Sequence, residues 1–250
     1  MTTGPRYPQP PPSLVRVRGG FSASMAYVEE GAFASEELEG MALACLDSLE
    51  SALVQVDAWR QAGHDLEDIY LRAIAPCARL LGHWWRCDTA DFAQVTIASS
   101  NLQRVLYRLS DEFCAPGADR PLGLHLLLAT EPRAQHTLGA YMLSEFFRRH
   151  GWTVQSVTPH DHEEVLAHLR RDWFDALGLS ISTGRELQPL KALLPQLHAQ
   201  SPNPNLRVLV GGPLVLSQPE ALESLGVDLV SSDACETVNF FSHRVRASVS

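Results

Sequence analysis

The feature that most constrains this chain is the regular alternation of short apolar runs with helical patterns after residue 121. The apolar runs, each a candidate strand, cover residues 122–130, 153–157, 176–181, 207–210 and 229–230. Helical patterns fill the intervals at about 138–150, 161–172, 185–199 and 217–225, and one more follows about residue 234. Short strands that alternate with helices form a parallel sheet covered on both faces. The sequence therefore predicts a five-stranded parallel α/β domain over residues 121–250.

The part of the chain before this domain has only helical patterns. Apolar residues recur at three- and four-residue spacing over residues 38–56, 66–81 and 92–109, with Gly63 ending the first stretch and Asp65 able to cap the second. Pro76 lies inside the second stretch and should kink that helix. These patterns predict a helical bundle over residues 34–114, with the third helix at about 89–113. The composition of "CAPGADRPLG" predicts a linker at 115–120.

The first 33 residues have no periodicity and contain "PQPPPS", so we interpret them as a flexible arm that a partner could order.

The chain has 250 residues, 45% of them hydrophobic, and a formal net charge of −9, which argues against a general nucleic-acid-binding surface. No apolar run approaches the roughly 18 residues that a membrane span needs, and no signal peptide opens the chain, so we expect a cytoplasmic protein. Its five scattered cysteines suggest neither a disulfide framework nor a zinc site.

Unusual residues follow three of the predicted strands, at the ends where doubly wound sheets bind ligands. They lie in the loops "QHTLG", "GLSISTG" and "VLVGGP", and the candidates are His136 and Gly139, Ser180 and Ser182, and Gly211 and Gly212. From the residues alone, the histidine could be a base, a metal ligand or a polar loop residue. The two serines fit ordinary helix capping equally well, and the glycine pair fits an ordinary turn.

The order and spacing of these three loops resemble the cobalamin-binding Rossmann-like domain, whose signature is Asp-x-His-x-x-Gly, then Ser-x-Leu, then Gly-Gly. The preceding helices resemble the helical cap of the same family, including "LGHWW" and "DFAQVTIASSNLQRVL". The resemblance covers residues 34 to about 245. It implies a helical cap followed by a five-stranded parallel sheet of the flavodoxin-like type.

The resemblance also implies roles for individual residues. His136 would be the lower axial ligand of cobalt, in place of the benzimidazole base of the cofactor itself, and Trp85 would cover the upper face of the corrin ring. The remaining cofactor-binding positions would be Thr137, Gly139, Ser180, Ser182, Gly211, Gly212 and Val95. The implied cofactor is cobalamin, as hydroxocobalamin or adenosylcobalamin.

Four positions depart from the family pattern. Ala134 stands where the aspartate of the signature is expected, so the usual partner of the ligating histidine is missing. Ser182 replaces the leucine of Ser-x-Leu. Val95 and Thr96 occupy the positions of a Glu-His pair in CarH-type photoreceptors. We therefore expect a monomer or dimer that does not form a light-sensitive adenosylcobalamin tetramer.

The cap motif F-A-x-V-T joined to Q-H-T-L-G is most similar to AerR/PpaA-type antirepressors of photosynthesis genes and to CarH-like sensory domains. This implies a light- or redox-responsive transcriptional regulator that is not an enzyme. It would act through a repressor or another regulatory protein, and would itself bind neither specific DNA nor membranes. The alternatives are a corrinoid methyl carrier of a methyltransferase system, a sensor that binds heme or bilin instead of or beside cobalamin, and an interaction domain with an empty site.

Overall fold

A computed structural model describes residues 32–134 and 137–249, with side chains as far as Ser242. Most of the predicted arm at 1–33, and His136 itself, lie outside the described residues. The chain divides into two compact units, one up to Leu102 and the other from Gln103 onward.

The first unit is helical, and its core begins within the predicted arm, because buried Phe33 packs against Trp59 with ring centroids 4.7 Å apart. The apolar stretch 38–56 forms two helices, since Ser48 is extended and its side chain accepts a hydrogen bond from the Ser51 amide. The helices of this unit are α1 (Ser35–Asp47), α2 (Leu49–Gln61), α3 (Leu66–Asp68), α4 (Ala75–Arg86) and the first part of α5 (Phe92–Ala118).

Pro76, which the sequence predicts to kink the second apolar stretch, lies just after a change of helix type in the chain. Residues Ile69–Ile74, between α3 and α4, form a π-helix, and Pro76 is the second residue of α4. Because the π-helix continues directly into α4, the N–H that Pro76 lacks would otherwise bond to the preceding turn, and a wider π turn is one way in which a helix accommodates this irregularity.

Helix α5 is longer than the sequence predicts, and it includes part of the predicted linker. It continues through Pro116 to Ala118, so residues 115–118 are helical. A Cβ on Gly117 would lie 1.7 Å from the carbonyl oxygen of Arg148, so glycine permits close contact with the next helix. Arg149 donates to the carbonyl oxygen of Phe113 at 2.8 Å. Tertiary contacts therefore hold the last turn despite its poor helix formers.

The second unit contains the five-stranded sheet that the sequence predicts, and the fold class is confirmed. The strand order is β2-β1-β3-β4-β5, with all pairs parallel. The strands are β1 (His125–Thr130), β2 (Thr153–Val157), β3 (Ala176–Ser180), β4 (Arg207–Gly211) and β5 (Leu229–Val230). The helices are α6 (Leu138–Arg149), α7 (His162–Arg171), α8 (Leu187–Gln200), α9 (Leu214–Ser217), α10 (Pro219–Glu223) and α11 (Ala234–Val249).

The two faces of the sheet carry different residues. One face packs against α7 and α8 in an apolar core that includes Leu127, Leu179 and Val210. The alternate residues of the same strands point to the opposite face, where α6 packs on β1 and β2 and contacts α11. Among the described residues, no helix combines the length and the apolar character that crossing a bilayer requires.

Candidate functional site

Three small residues form a row at the carboxyl edge of the sheet. Thr130, the last residue of β1, is in register with Ser180 at the end of β3, and Ser180 is in register with Gly211 at the end of β4. All three lie on the face that α6 covers, because they alternate with the apolar core residues of the other face. The strand order changes direction between β1 and β3, which is where doubly wound sheets bind ligands.

Three hydroxyl groups at this edge bond to no described residue. Thr130 is 6% exposed, and its Oγ1 makes no hydrogen bond to any described residue. The hydroxyls of the half-buried Ser180 and Ser182 also bond to no other residue in the described part of the chain. Buried polar groups in proteins are nearly always paired, so an unpartnered group indicates a position for a ligand or water.

The glycine pair after β4 is required by the packing of the chain itself. A Cβ on Gly211 would lie 2.9 Å from the carbonyl oxygen of Ser231. Gly212 has φ of +97°, and a Cβ there would lie 2.6 Å from the carbonyl oxygen of Ile181. Both glycines therefore let the end of β4 approach its neighbours closely, and Gly212 also needs the left-handed conformation. This requirement accounts for the "GGP" turn whether or not a ligand is bound.

The loop after β1 leads into α6 through the residues predicted to surround the cofactor tail. Thr137 is the N-cap residue of α6 and is half-buried, with no side-chain capping bond. Gly139 is exposed, and no described atom lies within 4 Å of the position a Cβ would take. The start of α6 therefore leaves open space at the glycine of the His-x-x-Gly motif.

The two site residues predicted from the helical region lie in the first unit. Trp85, near the end of α4, has 51% of its surface exposed, whereas Trp84 is buried. Val95 is half-buried on α5, and the Thr96 hydroxyl donates to the Phe92 carbonyl of its own helix at 2.7 Å. Trp85 is therefore available to a ligand, and Trp84 belongs to the core.

Glu131, the acidic residue nearest in sequence to Ala134, is engaged elsewhere. The Glu131 side chain accepts hydrogen bonds from the amides of Ser182 and Thr183, at 2.9 and 3.1 Å, and is thus engaged with the loop after β3. Arg133 is exposed, with φ of +57°. Thr130 and Glu131 are not among the residues that the sequence predicts for this edge. The signal that could have indicated them is the presence of two polar residues at the end of an apolar strand.

Four of the five cysteines lie in helices and are at least partly buried. Cys45 and Cys77 are buried, as their apolar helix positions predict. Burial, together with the nearby Glu145 carboxylate, raises the pKa of the Cys114 thiol to about 12, which makes it unreactive at neutral pH. Within the ranges that the structure describes, no three His, Cys, Asp or Glu side chains are grouped to hold a metal ion.

These observations fit a ligand with a hydrogen-bonding tail. The unpartnered hydroxyl of Thr130 and the half-buried hydroxyls of Ser180 and Ser182 provide polar contacts at one edge of the sheet. The open space beside Gly139 leaves room along the start of α6. The residues present therefore fit the cobalamin cofactor that the resemblance implies.

Comparisons with known proteins agree with this fit. Residues 124–238 match the B12 binding domain. The chain is 31% identical over 186 residues to the "Uncharacterized 20.5 kDa protein in bchF-crtJ intergenic region" of Rhodobacter capsulatus, covering 74% of this chain and 96% of the relative. Its fold is similar to that of the monomethylamine corrinoid protein of Methanosarcina barkeri, with a TM-score of 0.67 and 14% identity over 82% of this chain and 97% of the other. The predicted resemblance, and cobalamin as the cofactor, are thereby confirmed, and the chain belongs to the B12-binding domain family.

Proposed function

We propose that this protein is a cobalamin-binding regulator that controls transcription through a protein partner. The observation that carries the proposal is the row of small and unpartnered residues at the switch point of the sheet, directly before the loop that contains His136. A parallel sheet holds ligands at this edge, and the residues there lack the internal partners that a closed structure would provide.

The proposed roles of the residues follow from their chemistry. The His136 imidazole is a suitable ligand for cobalt. The hydroxyls of Thr130, Ser180 and Ser182 can donate hydrogen bonds to oxygen atoms of the cofactor tail. The exposed indole of Trp85 offers an apolar surface for the corrin ring. When bound, cobalamin would supply a cobalt centre whose ligation responds to light or redox state.

The regulatory part of the proposal is supported by the relative and by the charge of the chain. The name of the Rhodobacter capsulatus relative places its gene between bchF and crtJ, and the resemblance of the cap motif is to antirepressors of photosynthesis genes. The chain has 29 acidic against 20 basic residues, so it is unsuited to bind DNA phosphates tightly by itself. An antirepressor that binds a separate repressor avoids this difficulty, because it needs no basic surface of its own.

Two experiments test the proposal in sequence. First, the full chain is mixed with hydroxocobalamin, heme or biliverdin in parallel, and visible spectra are recorded after the free ligand has been removed. We expect cobalamin to be retained with the benzimidazole displaced; retention of only heme or biliverdin would support the alternative sensors.

Second, a promoter bound by the candidate repressor is footprinted with and without the cobalamin-loaded protein. We expect the protein alone to leave no sequence-specific footprint and to change the footprint of the repressor. A specific footprint from this protein alone, at physiological salt, would contradict the proposal.

The second candidate function is a corrinoid methyl carrier, which the fold similarity to the monomethylamine corrinoid protein favours. Such a carrier benefits from an acidic partner that adjusts the basicity of the ligating histidine as cobalt changes oxidation state. Here that position is Ala134, and the carboxylate of Glu131 is bound to another loop. Methyl transfer in the presence of a methyltransferase, with no effect on repressor occupancy, would favour the carrier.

A further inference from the structure

Glu131 fastens the loop after β3 to the end of β1. Its backbone amide donates to the carbonyl oxygen of Ser180 at 2.9 Å. Its carboxylate Oε2 accepts from the amides of Ser182 and Thr183, at 2.9 and 3.1 Å, and from the Thr183 hydroxyl at 3.5 Å. One residue therefore holds the backbone of this loop at several consecutive positions.

The carboxylate is held by these donors and not by a cation. Within the described part of the chain, no Lys, Arg or His forms an ion pair with Glu131. Hydrogen bonds from amides to a charged carboxylate are stronger than those between neutral groups. The half-buried position of Glu131 also protects these bonds partly from water. The arrangement is that of a loop anchor.

The other side of the same loop is fixed by the strand β4. The Ile181 amide donates to the carbonyl oxygen of Gly211 at 2.9 Å, and the Ile181 carbonyl accepts from the Leu214 amide at 3.1 Å. Gly212 packs against Ile181 so closely that no side chain would fit between them. The loop is thus held from both sides, by Glu131 and by the end of β4.

In the anchored loop, the serine hydroxyls are available to bond to a ligand, whereas two backbone amides are not. The amides of Ser182 and Thr183 are occupied by the Glu131 carboxylate. The hydroxyls of Ser180 and Ser182 bond to no other described residue. A ligand that reaches this edge therefore meets two free hydroxyl groups, which can donate to the phosphate and ribose oxygens of a nucleotide.

We propose that Glu131 is a positioning residue that orients the Ser180–Ser182 hydroxyls toward the nucleotide tail of cobalamin, and so makes the site selective for corrinoids that carry this tail. The inference rests on the proposed function, because it assumes that cobalamin binds at this edge. Glu131 acts through the loop and does not itself contact the cofactor.

The test compares two ligands that differ only in the tail. Dissociation constants are measured for cobalamin and for cobinamide, which lacks the nucleotide, with the wild-type chain, Glu131→Gln and Glu131→Ala. We expect Glu131→Ala to weaken cobalamin binding by about tenfold, which corresponds to the loss of roughly one well-oriented hydrogen bond to the tail. Cobinamide binding should stay unchanged. Glu131→Gln keeps one acceptor oxygen and should show a smaller loss of the same selectivity.

The control is Glu163→Gln, which removes an exposed carboxylate on α7 that pairs with Arg170. It should leave both dissociation constants unchanged. Equal weakening of cobalamin and cobinamide by the Glu131 substitutions would overturn the inference, and so would unchanged binding of both. If Glu131→Ala does not fold, as judged by circular dichroism, the inference is tested by Glu131→Gln alone. The quantity that decides is then the ratio of its dissociation constants for cobalamin and cobinamide. A wild-type chain that binds neither ligand would instead refute the proposed function.

Discussion

The two edges of the sheet are built from the same strands, but they differ in how their polar groups are satisfied. At the amino edge, Asp175 accepts from the His125 amide at 2.8 Å and from the Trp173 indole at 3.2 Å. Asp228 accepts from the Arg207 guanidinium and from the Val208 amide, both at 2.8 Å. Each carboxylate at this edge therefore has partners of its own.

The carboxyl edge includes hydroxyl groups that have no partner among the described residues. The buried hydroxyl of Thr130 is unbonded within the described residues, and Ser180 beside it likewise offers a free hydroxyl. Burying a polar group without a partner costs stability, so the Thr130 hydroxyl is a position where a ligand or a water molecule can supply the missing partner. The two edges therefore differ in whether the polar groups named here have partners among the described residues.

The largest expected effect is at the carboxyl edge. His136→Ala should weaken cobalamin binding by more than about 100-fold, since losing the ligand itself should cost more than losing one of its supporting partners. The visible spectrum should change as well, because the proposed donor to cobalt would be lost. Titration of the apoprotein with hydroxocobalamin measures both effects.

The matched control is His160→Ala, which removes an exposed imidazole in the loop after β2. It should bind cobalamin as the wild type does. An unchanged spectrum and affinity in His136→Ala would show that this histidine is not the cobalt ligand and would remove the main functional contrast between the two edges.

At the amino edge the expected effect is on stability alone. Asp228→Ala removes the acceptor of the Val208 amide and the partner of Arg207, which should lower the free energy of unfolding by about 2–3 kcal/mol. Urea denaturation measures this change, and cobalamin affinity under native conditions should not change. Asp172→Ala, which removes an exposed partner of Arg171, should have little effect on either quantity. A loss of affinity in Asp228→Ala would show that the amino edge also takes part in binding.

The fold could be predicted from the sequence largely because its elements follow from local patterns. The strands β2 and β5 begin and end where the apolar runs do. The end of α5 could not be predicted, because Pro116 and Gly117 locally favour a break. Contacts between Gly117 and the backbone of Arg148 hold that last turn, and they exist only in the folded chain.

The site shows the same division between local and tertiary information. Ser180 and Gly211 could be found because they end predicted strands, and parallel strands bring such ends together. The anchoring role of Glu131 could not be found, since its partners at Ser182 and Thr183 lie more than 50 residues away in sequence. The unpartnered state of Thr130 likewise depends on what surrounds it after folding. Tertiary hydrogen bonds are thus the part of the site that the sequence did not reveal.

A smaller effect is expected from restoring the family pattern beside His136. Ala134→Asp introduces a carboxylate at the position where the signature has one, and such partners raise the basicity of a ligating histidine. Cobalamin binding should become tighter by about tenfold, the lower end of what these partners contribute. Ala134→Asn adds a side chain of similar size without the charge and should show a smaller gain. Unchanged affinity in Ala134→Asp would show that the loop before α6 does not follow the family geometry.

The smallest expected effect comes from removing an unpartnered hydroxyl, and the removal of a partnered hydroxyl serves as its control. Thr130→Val removes the Oγ1 that bonds to no described residue, so the stability of the apoprotein should stay the same or increase. Cobalamin binding should weaken by about threefold, corresponding to one hydrogen bond at the lower end of the usual range.

The control is Thr237→Val, because Thr237 is also buried but donates to the Asp233 carbonyl at 2.6 Å. That substitution should lower the free energy of unfolding by about 1 kcal/mol and leave binding unchanged. If Thr130→Val instead destabilises the apoprotein and binds cobalamin normally, the Thr130 hydroxyl serves the fold, and the contrast between the two edges does not extend to this residue.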